Sequence, residues 1–430
     1  MEAALRTKSE STLGLYLSVP FCRSKCTYCN FASGVYPASE HGRYVERLIA
    51  ELRHAQSWAA SLRAELPERV DSVYFGGGTP VLLGPQLLTA IFTAIREEFT
   101  LDAQAEITME CAPGQLTDET LEALVAAGVN RVSMGVQSFV DREAAVSGRL
   151  HTRAIVLDDI ARLRKAGIGN LNLDLLAGLA GQNFNSWAES LDALVETGVP
   201  HASVYMLEID EESRLGRELL DGGARYHADL VPSDDSIATM YERALDALAA
   251  AGYDQYEISN FAQSGFASRH NLRYWNREPY LGVGLDAASM LRSSDTGDDS
   301  VLRATTTDDL KEYLHEDFPA STRHCETAWL GAAQQLEEAW FLGLRRNSGV
   351  SAEALRREFG EAAIAASLEA AHRLVADDML ILDSRSGEEH FSLTNHGRLL
   401  SNDVFAQFLG LRSVPANREA YSEHQRGLSD

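Results

Sequence analysis

Along the first half of the chain, short apolar and β-branched runs alternate with longer stretches whose apolar residues recur every three or four positions. The short runs are LGLYLSV (13–19), VDSVYFG (70–76), AEITMEC (105–111), RVSMGV (131–136), NLNLDLLAGL (170–179) and HASVYMLEI (201–209). Each is predicted to be a strand. Between them, YVERLIAELRHA (44–55), PQLLTAIFTAIREEF (85–99), DETLEALVAAG (118–128), AIVLDDIARLRKAG (154–167) and NSWAESLDALVETG (185–198) carry helical periodicity. This alternation predicts an α/β fold, a (β/α)6-type partial barrel of parallel strands. In such folds the chemistry gathers at the C-terminal ends of the strands and in the loops that follow.

A further helix over 235–252 leads into YDQYEIS (253–259), and SSDTGDDS (293–300) reads as a surface loop or boundary. Residues 1–300 are therefore expected to form one domain and 301–430 another. The second begins with helical patterns over 325–346, 351–360 and 361–378. A hairpin then pairs MLILD (379–383) with EEHFSL (388–393), giving a C-terminal helical, winged-helix-like domain.

Composition narrows the function classes. Of 430 residues, 45% are hydrophobic, enough for a proper core, and 38 Lys+Arg against 63 Asp+Glu leave a net charge of −25. Such a charge argues against unaided binding to nucleic acid or an anionic membrane. No run approaches the length of a membrane span. The opening MEAALRTKSESTLG lacks the apolar segment of a secretory signal, so a cytoplasmic location is expected, where disulfides are disfavoured. Five cysteines are present, and Cys22, Cys26 and Cys29 fall within eight residues, directly after the first strand.

Thiolates at that spacing on one loop can converge on one metal centre. Three ligands on a 4Fe-4S cluster leave the fourth iron open for a small molecule. Zinc normally takes four protein ligands, or three and water, and Cys111 and Cys325 stand alone rather than as a second pair. In FGGGTP, Gly77 and Gly78 followed by Thr79 end the second strand, where glycine lets backbone approach a ligand closely. Glu110 ends the third strand, Gln137 closes the fourth, Arg149 follows twelve residues later, and Asp174 interrupts an apolar strand. A carboxylate there is costly unless it has a partner.

The C-x3-C-x2-C loop, with aromatic Tyr28 before its last cysteine, resembles the signature of the radical S-adenosylmethionine (SAM) enzymes. In that superfamily the amino and carboxylate groups of SAM chelate the open iron. An electron from the reduced cluster then releases a 5′-deoxyadenosyl radical. LYLSVPFC, GGGTP, E-x-x-P-G (Glu110 to Gly114), RVSMGVQSF, D-L-x-x-G-L-x-G-Q (Asp174 to Gln182), YEISNFA and the closing FSLTNHGRLLSNDVF are similar to the oxygen-independent coproporphyrinogen III oxidase-like family, which also contains haem chaperones. The resemblance runs from about Leu15 to about Phe408. It implies SAM contacts at Tyr16, Tyr28, Gly77, Gly78, Thr79, Glu110, Gln137, Arg149 and Asp174, and a cluster on Cys22, Cys26 and Cys29.

Three features separate the two branches. Phe31 stands where the oxidases carry a further cysteine, only 21 residues precede Cys22, and RHNLRYW (269–275) resembles the haem-binding motif of the chaperones. An imidazole is a competent axial ligand for haem iron, which makes His270 the candidate haem contact. The chaperone branch implies haem as ligand, a haem-acceptor protein and an electron donor as partners. The oxidase branch implies radical decarboxylation of porphyrinogen propionates. Ser18, Cys111-Ala112, Ala177, Ala180 and Leu285-Asp286 depart from the family pattern. These departures bear on the substrate cavity and on covalent haem attachment through a thiol.

Overall fold

The computed structural model describes residues 11–315, 325–385 and 387–411. Six strands lie side by side in chain order, each parallel to the next: β1 (Leu13–Val19), β2 (Arg69–Gly77), β3 (Thr100–Cys111), β4 (Arg131–Gln137), β5 (Asn170–Ala177) and β6 (His201–Met206). Helices α1 (Ser39–Ser61), α2 (Gly84–Glu98), α3 (Asp118–Ala126), α4 (Arg153–Lys165) and α5 (Phe184–Thr197) carry the chain back between them. The fold is the expected parallel α/β core.

Strand alternation decides what this core encloses. On one face Leu13, Leu15, Leu17 and Val19 of β1, Val73 and Phe75 of β2, and Val132, Met134 and Val136 of β4 are buried. Phe75 meets Phe92 of α2 with ring centroids 4.9 Å apart, so this is the face that the helices cover. The other face is polar. Tyr74 donates to Glu110, Asn172 donates to Ser133 and Asp174, and Ser203 donates to Asn172, so these residues of β2 to β6 share one interior.

Beyond β1 the sheet continues through β7 (Tyr280–Val283), parallel to β1, and then antiparallel β8 (Ala288–Ser293), β9 (Val301–Thr306) and β10 (Cys325–Leu330). At the other edge β6 pairs antiparallel with Asn260–Ala262. This extension corrects two expectations. The run 293–300 is the turn between β8 and β9, so the chain divides at Leu330/Gly331 rather than at residue 300. The pattern over 325–346 is β10 followed by helix, because Cys325–Leu330 pairs along the whole of β9. The second unit contains α6 (Ala332–Arg345), α7 (Ala352–Phe359) and α8 (Glu361–Ala376), with strands Leu380–Arg385 and Glu388–Leu393 paired as a hairpin. Trp340 is fully buried there, stacked on Phe408 at 4.5 Å.

The N-terminal ends of the strands are closed by the short helix Arg269–Trp275. Glu106 of β3 accepts the backbone N–H groups of Arg269 (3.1 Å) and His270 (3.0 Å) at its start. Arg273, 3% exposed, donates to the carbonyls of Thr12 (3.0 Å) and Pro279 (2.9 Å) and pairs with Asp71. Breaking a buried pair leaves an uncompensated charge, so Arg273→Ala should cost about 3–5 kcal/mol of unfolding free energy. Arg69→Ala, which removes a solvent-screened ion pair with Asp102, should leave the denaturation midpoint close to that of the parent chain. Denaturant titration of the two variants checks the contrast.

Candidate functional site

The chain leaves β1 at Val19 and forms a loop that closes on itself: Gly34 N–H donates to Pro20 (2.8 Å) and Cys22 N–H to Gly34 (2.9 Å). Within it Cys29 N–H donates to Cys26 (3.4 Å), and Lys25 Nζ donates to the carbonyls of Phe31 (3.1 Å) and Ser33 (3.0 Å). Thr27 ties the loop to two others, donating to Ser147 (3.1 Å) and accepting from Leu215 (2.9 Å). The three thiols are half-buried and form no disulfide. Burial, and then the neighbouring Cys29 and Cys26, push the Cys22 thiol pKa up, against hydrogen bonds from Ser33 and Thr79. Among the described residues no three His, Cys, Asp or Glu side chains are gathered tightly enough for a single metal ion.

The glycine loop after β2 rests on the root of this loop. Gly78 N–H donates to Val19 and Thr79 N–H to Phe21, both at 2.8 Å. A Cβ on Gly78 would lie 2.7 Å from the Phe21 carbonyl oxygen, 2.8 Å from that of Val19 and 3.0 Å from Cys22 Sγ. Gly77 adds a left-handed φ of +97°. Glycine is required at both, one for contact and one for conformation. Gly148, at φ +89°, makes a similar approach, since its Cβ would sit 3.3 Å from the Cα of Cys26.

The polar interior opens towards this loop. Tyr74 donates to Glu110 Oε1 (2.9 Å), Asn172 to Asp174 Oδ1 (2.7 Å), and Arg149 to the Tyr28 hydroxyl (3.3 Å). Gly135 leaves room on β4 for Arg149 and Gln137, whose side-chain nitrogens would lie 2.8 and 3.1 Å from a Cβ there. Gln137 itself holds φ +69°, a strained backbone at the strand end. Burial, followed by the charge of Asp174, raises the Glu110 carboxyl to about 7. Burial also raises Asp174, while Tyr28, Cys26 and Asp174 keep the Arg149 guanidinium charged against its own burial. Tyr16 lies on the same interior, its ring 6.2 Å from that of Tyr74.

Glu110, Gln137, Arg149, Asp174 and the glycine loop lie towards the cysteine loop, whereas Tyr16, in mid-strand, has its ring 6.4 Å from that of His270. His270 sits at the closed end, 1% exposed, with Nδ1 3.0 Å from Ser72 Oγ and Nε2 2.8 Å from the Tyr274 hydroxyl. Its ring stacks on Tyr74 at 5.3 Å. Burial, then Arg273 and Arg131, lower its pKa to about 3, so it is neutral. A haem ligand needs a free nitrogen, and here both are engaged, which corrects the expectation that the motif presents His270 to haem. Sequence reasoning missed Tyr74, Thr108, Arg131, Ser133, Asn172 and Ser203. Their signal was the polar or aromatic residue at alternate positions of DSVYFG, AEITMEC, RVSMGV, NLNLDL and HASVYM.

A thiol-bearing loop after the first of six parallel strands, braced by a glycine loop after the second, defines a radical SAM protein. The model of the radical SAM superfamily matches residues 16–194, and that of the HemN C-terminal domain matches residues 330–400. The chain is 34% identical to heme chaperone HemW of Lactococcus lactis, over 92% of this chain and 96% of that one. It is 34% identical to the mitochondrial radical S-adenosyl methionine domain-containing protein 1 of Mus musculus, over 78% and 74%. The structure resembles coproporphyrinogen III oxidase HemN of Escherichia coli with a TM-score of 0.77 at 22% identity, covering 93% of this chain and 90% of that one, a likeness of fold. The chain belongs to the HemN/HemW family of radical SAM proteins. Among the described residues no helix is long and apolar enough to cross a membrane.

Two outcomes follow from the site geometry. Gly78→Ala forces apart the glycine and cysteine loops, so after anaerobic reconstitution the folded variant should hold less than half the iron of the parent chain. For Glu110, the native state holds a proton between the unfolded value near 4.5 and the folded value about 7. Stability without cofactors should therefore fall as pH rises through that window and level off above it. Glu110→Gln should flatten that fall, read as urea midpoint against pH.

Proposed function

We propose that this protein handles haem: it carries a 4Fe-4S cluster on Cys22, Cys26 and Cys29, binds SAM beside it, and delivers haem to an acceptor protein. The reading places it in the cytoplasm, with an electron donor to reduce the cluster. What carries it is the 34% identity to a heme chaperone HemW over nearly the full length of both chains. The donor set supports the cofactors. Three free thiols on one loop suit a cluster with one open iron, Glu110 and Asp174 suit ribose hydroxyls, and Arg149, a permanently charged, half-buried group, suits a carboxylate. The backbone of Gly77, Gly78 and Thr79 suits the amino group of SAM, with Tyr16, Tyr28 and Gln137 completing the wall. The cluster, when bound, supplies the open iron and an electron to the sulfonium. Phe31, 64% exposed at the place where the oxidase branch carries a cysteine, favours the chaperone reading over porphyrinogen decarboxylation.

His270 is assigned to the packing of the closed end, so haem contact falls to other groups. Replacing Cys22, Cys26 and Cys29 together by Ala should abolish the visible cluster absorbance and the bound iron after anaerobic reconstitution. Retention of both would sink the cluster assignment. In a haem titration the parent chain should bind, and His270→Ala should bind with unchanged affinity at reduced thermal stability. Rapid anaerobic formation of protoporphyrinogen from coproporphyrinogen III would instead establish the oxidase reading.

A further inference from the structure

Inside the barrel one guanidinium has no hydrogen-bonded counter-charge among the described residues, although the Asp174 carboxyl lies within its field. Arg131, the first residue of β4, is 1% exposed, and its Nε has no hydrogen-bond partner among the described residues. Thr108, its register neighbour on β3, is fully buried, and its Oγ1 is likewise without a partner. Both side chains face the interior. Thr108 alternates with Glu110, which meets Tyr74, and Arg131 alternates with Ser133, which meets Asn172. The field of Arg131 acts on Tyr74, Asp174, His201, Tyr256 and His270, which are carried on five different segments.

Glu106, Glu110 and Asp174 spend their hydrogen bonds elsewhere, while buried Glu257 acts on Tyr256 alongside Arg131. Glu106 accepts from Ser268 Oγ (3.4 Å) and from the backbone N–H groups of Arg269 and His270. Asp174 accepts from Asn172 and Glu110 from Tyr74. His201 and His270 are held neutral by burial. A buried guanidinium without a hydrogen-bonded counter-charge is destabilising by several kcal/mol, an arrangement that persists where a ligand supplies the charge.

We infer that Arg131 and Thr108 form an anion subsite inside the barrel, taking a carboxylate carried on a short alkyl arm of the bound ligand. A guanidinium N–H and a hydroxyl O–H are both donors, and a carboxylate offers two acceptor oxygens to them. Depth sets the arm. Thr108 lies two residues below Glu110, about 7 Å along the strand, so the body of the ligand remains at the open end while its acid group reaches down. The propionates of haem have this form, and to that extent the inference rests on the proposed function. The carboxylate of SAM is assigned separately to Arg149.

The test compares haem with its dimethyl ester, titrated into the anaerobic, cluster-loaded protein. The parent chain should bind haem about tenfold more tightly than the ester, the range of one charge-assisted hydrogen bond. Arg131→Gln should bind both at the affinity of the ester, with SAM affinity unchanged, and Thr108→Val should lose part of the preference. A preference retained in Arg131→Gln, none in the parent chain, or a loss of SAM affinity in place of the preference overturns the inference. If the parent chain binds neither porphyrin, the haem reading fails by itself, and thermal unfolding then decides the subsite. Sodium propionate should raise the Tm of the parent chain above its value in sodium chloride of equal ionic strength, and not that of Arg131→Gln. Equal shifts in both, or none, overturn it. Should Arg131→Gln not fold, Arg131→Lys, which keeps the charge and loses the planar fork, carries both measurements with a smaller effect.

Discussion

Parallel strands in an α/β protein usually bury apolar side chains on both faces, which makes their sequences continuous apolar runs. Here the helices cover only one face of β1 to β6, and the other face is Tyr, Ser, Thr, Asn, Asp, Glu, Arg and His. That division governs the rest of the molecule. A polar interior cannot close on itself as an apolar one does, because every buried donor and acceptor needs a partner. Apart from Arg131 Nε and Thr108 Oγ1, the walls meet the need largely with cross-strand bonds between side chains: Tyr74 to Glu110, Asn172 to Ser133 and Asp174, Ser203 to Asn172, and His201 to Asn172 at 2.6 Å. These bonds fix rotamers along the walls, so the interior is pre-organised before any ligand enters.

The two ends of this interior are built differently. One is sealed by backbone and ion pairing: Glu106 receives the start of the helix Arg269–Trp275, and Arg273 links that helix to Thr12, Asp71 and Pro279. The other is formed by loops whose contacts are chiefly backbone to backbone, with glycine where side chains would intervene. Gly78 and Gly148 let the β2 and β4 loops lean on the cysteine loop at Val19, Phe21 and Cys26. The positions of the three thiols are therefore set by main-chain geometry, which is less free than a side-chain rotamer. Chemistry at the open end and stability at the closed end are consequently separable, and His270 belongs with stability.

Much of this was legible in the sequence because two periodicities carry it. The strands β1, β2 and β4 and the helices between them were readable from periods of 2 and 3.6, and Cys22, Cys26, Cys29, Gly77 and Gly78 from their spacing. The failures share a physical cause, which is that local pattern does not show tertiary pairing. CETAWL preceding a helical run reads as helix until β9 supplies an edge for it to pair with, and SSDTGDDS reads as a boundary although it is a turn within one sheet. HNLRYW displays a histidine among aromatics, a composition equally suited to a haem face and to a plug. Only Ser72 and Tyr274, one of them 198 residues away, distinguish the two.

Charge divides the interior once more along its depth. Near the thiols stand Glu110 and Asp174 with Arg149 between Tyr28 and the strand end, so negative and positive groups are close. Deeper, Arg131 stands among two neutral imidazoles and the tyrosines, with Asp174 and Glu257 in the same surroundings but no anion hydrogen-bonded to it. A ligand carrying an acid group on a flexible arm is therefore oriented, acid inward, by the walls themselves. In a chain of net charge −25, which repels anions at long range, such orientation has to be supplied at contact distance by one buried cation. The acidic exterior and the basic interior point act in sequence: the first disfavours casual capture of anions, and the second selects those able to reach it.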